Sequence, residues 1–373
     1  MNGTQQSSTH PPTPHTPEET VFDRLRLLRS HRVGISTYNR LIAEHGSAAA
    51  ALKALPDVAR AAGVAKYEIC AEATVAQELK AAKAYGATLV IKGTPDYPTP
   101  LTDLDDAPPL IWTVGNKNLL NRRMIALVGA RNASSLGTRM AKKLARDLGE
   151  AGFVVVSGLA RGIDTASHIA ALEGGTVAVQ AGGVDVIYPA ENTQLAKNIA
   201  DKGLRLSEMP MGLQPKARHF PRRNRLISGL AEAVVVVEAA AKSGTLITAR
   251  NALDQHRDVL VVPGHPFDAR AAGCNMLIRD GATLVRSADD IITSLQSIAD
   301  HAAQEPPKPK TNLRQANALH KEILARLGPS PIAEDQLIRD LATAPQSVAP
   351  ALVELEIAGK VLRQPGGLLS KVS

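Results

Sequence analysis

From residue 124 onward the chain repeats one pattern, and that pattern leaves few folds open. Apolar runs without polar alternation occur at 124–128, 153–156, 176–179, 233–237 and 258–262, with shorter candidates at 204–206 and 283–285. Helical patterns lie between most of them, at 136–149, 163–172, 194–202, 246–255 and 275–280. A strand that is apolar on both faces must be covered on both faces, so the pattern predicts an α/β fold with a parallel sheet between helical layers. In such sheets ligands bind beyond the carboxyl ends of the strands.

Those strand ends share a chemistry. The first gives Val128-Gly129-Ala130-Arg131 with Ser134 and Ser135 placed to cap the next helix. The second gives Ser157-Gly158-Leu159-Ala160-Arg161-Gly162-Ile163-Asp164, and the strand at 233–237 leads to Lys242-Ser243-Gly244-Thr245. Each glycine alone is what any strand-to-helix turn needs. Their convergence with hydroxyls, Arg131 and Arg161 on one sheet edge is not explained by packing.

The richest stretch runs from Lys216 to Arg225. It carries Lys216, Arg218, Arg222, Arg223 and Arg225, with His219 among them and no acid. A solubilising loop needs neither the interrupting Phe220-Pro221 nor the following Leu226-Ile227. A basic loop beside a Gly-containing turn suits several phosphates. The expected contacts are Gly129, Arg131, Ser134, Ser157, Gly158, Arg161, Lys216, Arg218, His219, Phe220, Arg222, Arg223, Asn224, Arg225, Ser243, Gly244 and Thr245. Asp164 is expected to cap or pair locally, and Glu238 to order the loop arginines.

Composition narrows the ligand. There are 43 basic and 36 acidic residues, net +7, which favours an anionic partner. Aromatics make up only 3%, too few for a long base-stacking platform, so phosphate contacts should supply most of the affinity for a nucleic acid. Cys70 and Cys274 form neither a disulfide framework nor a metal spacing. No cofactor or metal is expected. Gly-x-Gly-x-x-Gly fails because Arg stands at 131, and no Walker loop, nucleophile elbow or His-Glu-x-x-His motif occurs.

Five regions follow. Residues 1–20, without Lys or Arg, read as a disordered tail lacking a secretory or transit signal, and a cytoplasmic location is expected. Residues 21–88 read as an Ala-rich helical domain of the SAM or helix-hairpin-helix kind. Its Gly34 and Gly63 suit tight hairpins that could face a phosphate, or an ordinary small bundle. Residues 89–301 hold the sheet, entered through a Pro-punctuated connector at 89–115. Residues 302–316 form a Pro/Lys linker, and 317–373 read as three helices and a hairpin, a winged-helix-like domain. Its candidate recognition helix carries Glu354 and Glu356 and no cation, which favours protein contact or packing over duplex reading.

In this order the motifs resemble the DprA (Smf) family: Gly129-Ala130-Arg131 with Ser134; 157–164; Tyr188-Pro189-Ala190-Glu191-Asn192; Ser207-Glu208-Met209-Pro210; Phe220 to Arg225; 243–248; Pro263-Gly264; and 275–278. The resemblance implies an extended Rossmann-like core that binds single-stranded DNA without catalysis. It implies protection of incoming strands in natural transformation, loading of the RecA recombinase, and a homodimer formed through the core. It places a DNA-contacting arginine on Arg131 and a basic contact at Ala217, flanked here by Lys216 and Arg218. Two other readings stand beside it. One is a nucleotide phosphoribohydrolase-like enzyme on the same core, although Thr248 occupies the position where that family has Glu. The other is a winged-helix duplex regulator.

Overall fold

Val, Ile and Leu dominate the runs at 124–128, 154–156 and 233–237, and β-branched side chains suit a pleated, buried surface. The computed structural model, which describes residues 18–304, 313–328, 330–341, 343, 345–364 and 367–372, builds them into one sheet. Among the described residues its strands are β1 (Thr88–Ile91), β2 (Leu110–Gly115), β3 (Met124–Gly129), β4 (Val154–Ser157), β5 (Thr176–Val179), β6 (Leu204–Ser207), β7 (Ala233–Glu238), β8 (Asp258–Val261) and β9 (Thr283–Leu284). Their order is β1-β2-β6-β5-β4-β3-β7-β8-β9. From β6 to β9 every pairing is parallel.

The expected connector at 89–115 is corrected here. It contains β1 and β2, which pair antiparallel to each other and, through β2, to β6. β1 has only four residues and β2 directly follows Pro108-Pro109, which hides them in the sequence; Pro is tolerated because it falls between them. Twelve helices belong to this unit of the described chain: α1 (Glu18–Arg29), α2 (Ile35–His45), α3 (Ala48–Ala61), α4 (Glu72–Tyr85), α5 (Thr99–Thr102), α6 (Ser135–Glu150), α7 (Ile163–Ala171), α8 (Thr193–Lys202), α9 (His219–Leu230), α10 (Thr245–Asp254), α11 (Ala272–Arg279) and α12 (Ala288–Gln304). On one face Val128, Val156 and Val236 pack with Leu226 and Ile227 of α9 and Ala249 of α10. On the other, Ile125, Leu127 and Val155 pack with Leu144 and Leu148 of α6 and Ile291 of α12. Both faces are covered, as continuous apolar strands require.

The helical front is docked on the β1–β2 edge through a buried carboxylate. Glu78 of α4 accepts two hydrogen bonds from Arg29 (2.8 and 2.9 Å), one from Trp112 Nε1 on β2 (2.9 Å) and one from Met211 N (3.4 Å). Burial pushes its pKa up, but these donors outweigh burial and hold the carboxyl below its usual range. Of the two glycines expected at tight turns, Gly63 has φ +84°. Gly34 has φ −88°, so at that position the turn needs no glycine.

The C-terminal unit contains α13 (Leu313–Arg326), β10 (Ile332–Ala333), α14 (Glu334–Leu341), α15 (Pro345–Ile357), β11 (Val361–Gln364) and β12 (Leu368–Lys371). Its strands are ordered β10-β12-β11, a winged helix closed over Ile323, Leu337, Leu352 and Leu369. Arg363 on β11 bonds Glu334 and Glu356, so one of the two acids on the candidate recognition helix is engaged within the fold. Where a linker over 302–316 was expected, α12 runs to Gln304 and α13 starts at Leu313. Its centre and the first seventeen residues lie outside the described residues.

Candidate nucleic-acid interface

A cleft of about 910 Å³ opens where β3 and β7 hand over to their helices. Its floor is the Gly129-Ala130-Arg131 turn, one wall is the start of α9, and the other is Lys242 to Thr245 at the start of α10. Gly129 is required there: a Cβ would stand 2.5 Å from Cγ1 of Ile163. The turn therefore presses against α7 and leaves Arg131 exposed. Gly244 offers α10 no side-chain cap and the Ser243 hydroxyl accepts from Thr245 N at 3.2 Å; the positive end of the helix faces the cleft beside Lys242.

Phe220 is the centre of the site. The Arg131 guanidinium lies 5.1 Å from its ring centroid and that of Arg223 5.9 Å, within cation–π range. Tyr188, 52% exposed, meets the same ring at 5.7 Å and 57°. One exposed cation, one buried cation and two aromatic rings share this point, which suits phosphate and base together.

The basic stretch at 216–225 is not the loop expected. From His219 it is the first turns of α9, with Pro221 in the first turn, where it disrupts no helical bond. Helical periodicity divides its cations. Lys216, Arg218 and Arg222 are exposed, and Arg222 approaches Glu208 at 3.7 Å. Arg223 and Arg225 turn inward, which corrects their placement as open phosphate contacts. Arg225 pairs with buried Glu208 at 2.5 Å and with Asp106 at 3.1 Å. Arg223 Nη1 donates to the carbonyls of Gly158 and Val179. Burial lowers its pKa to about 10, with Asp164 opposing the shift, so the charge persists at neutral pH. His219 is buried at the rim; burial, then Arg218, Arg222 and Lys216, hold its pKa below the ordinary value.

Several other expected contacts also have internal roles. Ser157 is fully buried and donates to Leu127 O at 2.6 Å. Gly158 is buried, and a Cβ there would meet Arg223 Nη1 at 2.0 Å. Arg161 is exposed and pairs with Glu191 at 2.9 Å. Glu238 does not order arginines: it accepts from Ser134 N (3.0 Å) and Ser134 Oγ, while Ser134 Oγ caps α6 at Gly137 N. Asn224, Ser243, Gly244 and Thr245 line the cleft, joined by Asn132, Tyr188, Lys242 and Arg270, which were not among the expected contacts. The readable signal was Lys242, adjacent to the Ser-Gly-Thr turn.

Behind the cleft the turn at 158–161 is held by three buried side chains. Leu159 sits at φ +59°, costly for a branched side chain. His168 Nε2 accepts from Leu159 N at 3.3 Å, Asn192 Nδ2 donates to Leu159 O at 2.9 Å, and Asp164 accepts from Gly158 N and Ala160 N. Burial, then the charge of Arg223, lowers His168 to about 3, whereas burial raises Asp164.

The family model for DNA recombination-mediator protein A matches residues 88–296, more than half of the chain. The chain belongs to the DprA family. A DprA-like N-terminal HHH domain matches 18–81 and a DprA winged helix domain 305–367. Protein Smf of Synechocystis is 36% identical over 306 residues, spanning 73% of this chain and 77% of its own. DNA processing protein DprA of Streptococcus pneumoniae is 44% identical over 202 residues, 54% of this chain and 71% of its own. The solved structure of that streptococcal protein superposes with a TM-score of 0.65 at 34% identity, covering 73% of this chain and 96% of the other. DNA processing protein A from Helicobacter pylori, solved for its single-stranded DNA binding mode, gives 0.53 at 29% identity over 57% of this chain and 96% of that one. No described helix is long and apolar enough to cross a membrane.

Proposed function

We propose that the chain is a sequence-tolerant single-stranded DNA-binding recombination mediator whose strand lies in the cleft around Phe220. The observation that carries this reading is Arg131, exposed and set over Phe220 between the starts of α9 and α10. Phosphates meet Arg131, Lys242 and the positive end of α10, while a base stacks on Phe220 or Tyr188. None of these contacts reads a base edge, so binding tolerates any sequence. The role is binding without catalysis: at the position of the phosphoribohydrolase acid, Thr248 is 2% exposed and carries no charge.

Family membership supports strand protection in transformation and delivery to RecA. A homodimer fits the unpaired β9 edge, where Leu284 is 44% and Met276 38% exposed; light scattering of the intact chain measures it.

The deciding experiment titrates single-stranded and duplex DNA at two salt concentrations, with Arg131→Ala in parallel. Neutralising ~4 phosphates gives a log–log salt slope of about −3 on a single strand. Equal affinity of Arg131→Ala, with folding intact, would remove this site.

A further inference from the structure

A second cleft, of about 770 Å³, lies across the loop at 263–271 from the first. The two share that wall: Arg270 lines the first, whereas His265 and Asp268 line the second. Its opposite side is α6, where Arg139, Lys143 and Arg146 recur at helical spacing on one face. The acids around it are engaged. Asp147 pairs with Lys143, which also feels Asp289 of α12; Glu238 caps α6 through Ser134; Asp268 takes the backbone and side chain of Arg270. Arg139 and Arg146 are exposed, and among the described residues neither has an ion-pair or hydrogen-bond partner. On the shared loop Phe267 is 94% exposed, its ring 5.6 Å from that of His265, and its open face can stack a base.

We propose that this cleft receives the nucleic-acid strand as it leaves the first, with Arg139 and Arg146 each taking a phosphate and Phe267 stacking on a base at the crossing. The inference rests on the reading of the first cleft and extends it. Charge complementarity and the shared wall favour a continuing strand over a separate ligand.

The test measures anisotropy with oligothymidylates of about six and about twenty nucleotides. Arg139→Ala/Arg146→Ala binds the short strand unchanged and the long strand more weakly, with a salt slope shallower by about 1.4. Phe267→Ala weakens the long strand about fivefold or more. Lys117→Ala/Arg123→Ala removes the same charge at the amino ends of the strands and leaves the slope unchanged. If Arg131→Ala loses affinity while the Arg139/Arg146 variant keeps its slope, the second cleft is ruled out and the first stands. Loss in the Arg139/Arg146 variant with Arg131→Ala silent removes the first cleft and, with it, the path from one cleft to the other.

Discussion

His168→Gln tests how the turn behind the cleft is held. His168 is fully buried, and its neutral ring accepts from Leu159 N while Nδ1 faces Thr176 Oγ1 at 2.7 Å. Thr176 Oγ1 donates onward to Val155 O at 2.9 Å, so Nδ1 carries the proton and Nε2 the lone pair. The folded pKa of about 3 lies below the unfolded value of about 6.5. Between these values the unfolded chain holds a proton that the folded chain does not, so stability falls as pH drops. From pH 7 to pH 5 the loss from this group is about 2 kcal/mol. Asp164 works in the opposite sense, since burial raises its pKa and the folded state gains by keeping the proton. It remains in both proteins and largely cancels in the comparison. Urea unfolding followed by Trp112, the single tryptophan and part of β2, reports the sheet unit alone. The unaltered chain should lose about 2 kcal/mol more than His168→Gln over that range. Parallel pH profiles, or a His168 resonance titrating near 6.5, would refute the assignment.

Gly158→Ala places a methyl 2.0 Å from Arg223 Nη1. It should destabilise by about 1–3 kcal/mol and weaken strand binding, read by melting and anisotropy. Arg225→Ala strands the buried Glu208 and should cost about 3–5 kcal/mol, while exposed Arg222→Ala stays within about 0.5 kcal/mol in stability and weakens binding. Equal melting temperatures for those two variants would contradict the division of cations on α9. Glu78→Ala should cost about 3–5 kcal/mol and raise amide exchange in α1 and α4 before the central strands; uniform exchange would contradict the docking.

The parallel strands were legible because each is a continuous apolar run, and periodicity alone places their ends together. The Gly129-Ala130-Arg131 turn and the Ser243-Gly244-Thr245 turn were legible for the same reason. β1 and β2 were not, because β1 is a four-residue edge strand and β2 directly follows Pro108-Pro109, so that the prolines around them read as a connector. Nor was the fate of Arg223 and Arg225 readable. Their partners, Gly158 and Asp106, lie 65 and 119 residues away, and a cation's burial depends on acceptors that only the tertiary fold supplies. The same holds for Glu238, whose partner Ser134 is 104 residues away in sequence. Phe267 escaped notice because exposure is a property of the folded surface.

The buried carboxylate of Glu78 has a consequence for how such chains can be recombined. Its four donors come from α1, from β2 and from the backbone at Met211, so neither the helical front nor the sheet owns the interaction. A front end grafted from a relative would bring its own acid or none, and Trp112 and the Met211 amide would lose their acceptor. A chimera of such chains therefore has to move the helical front and the sheet together, as a matched pair.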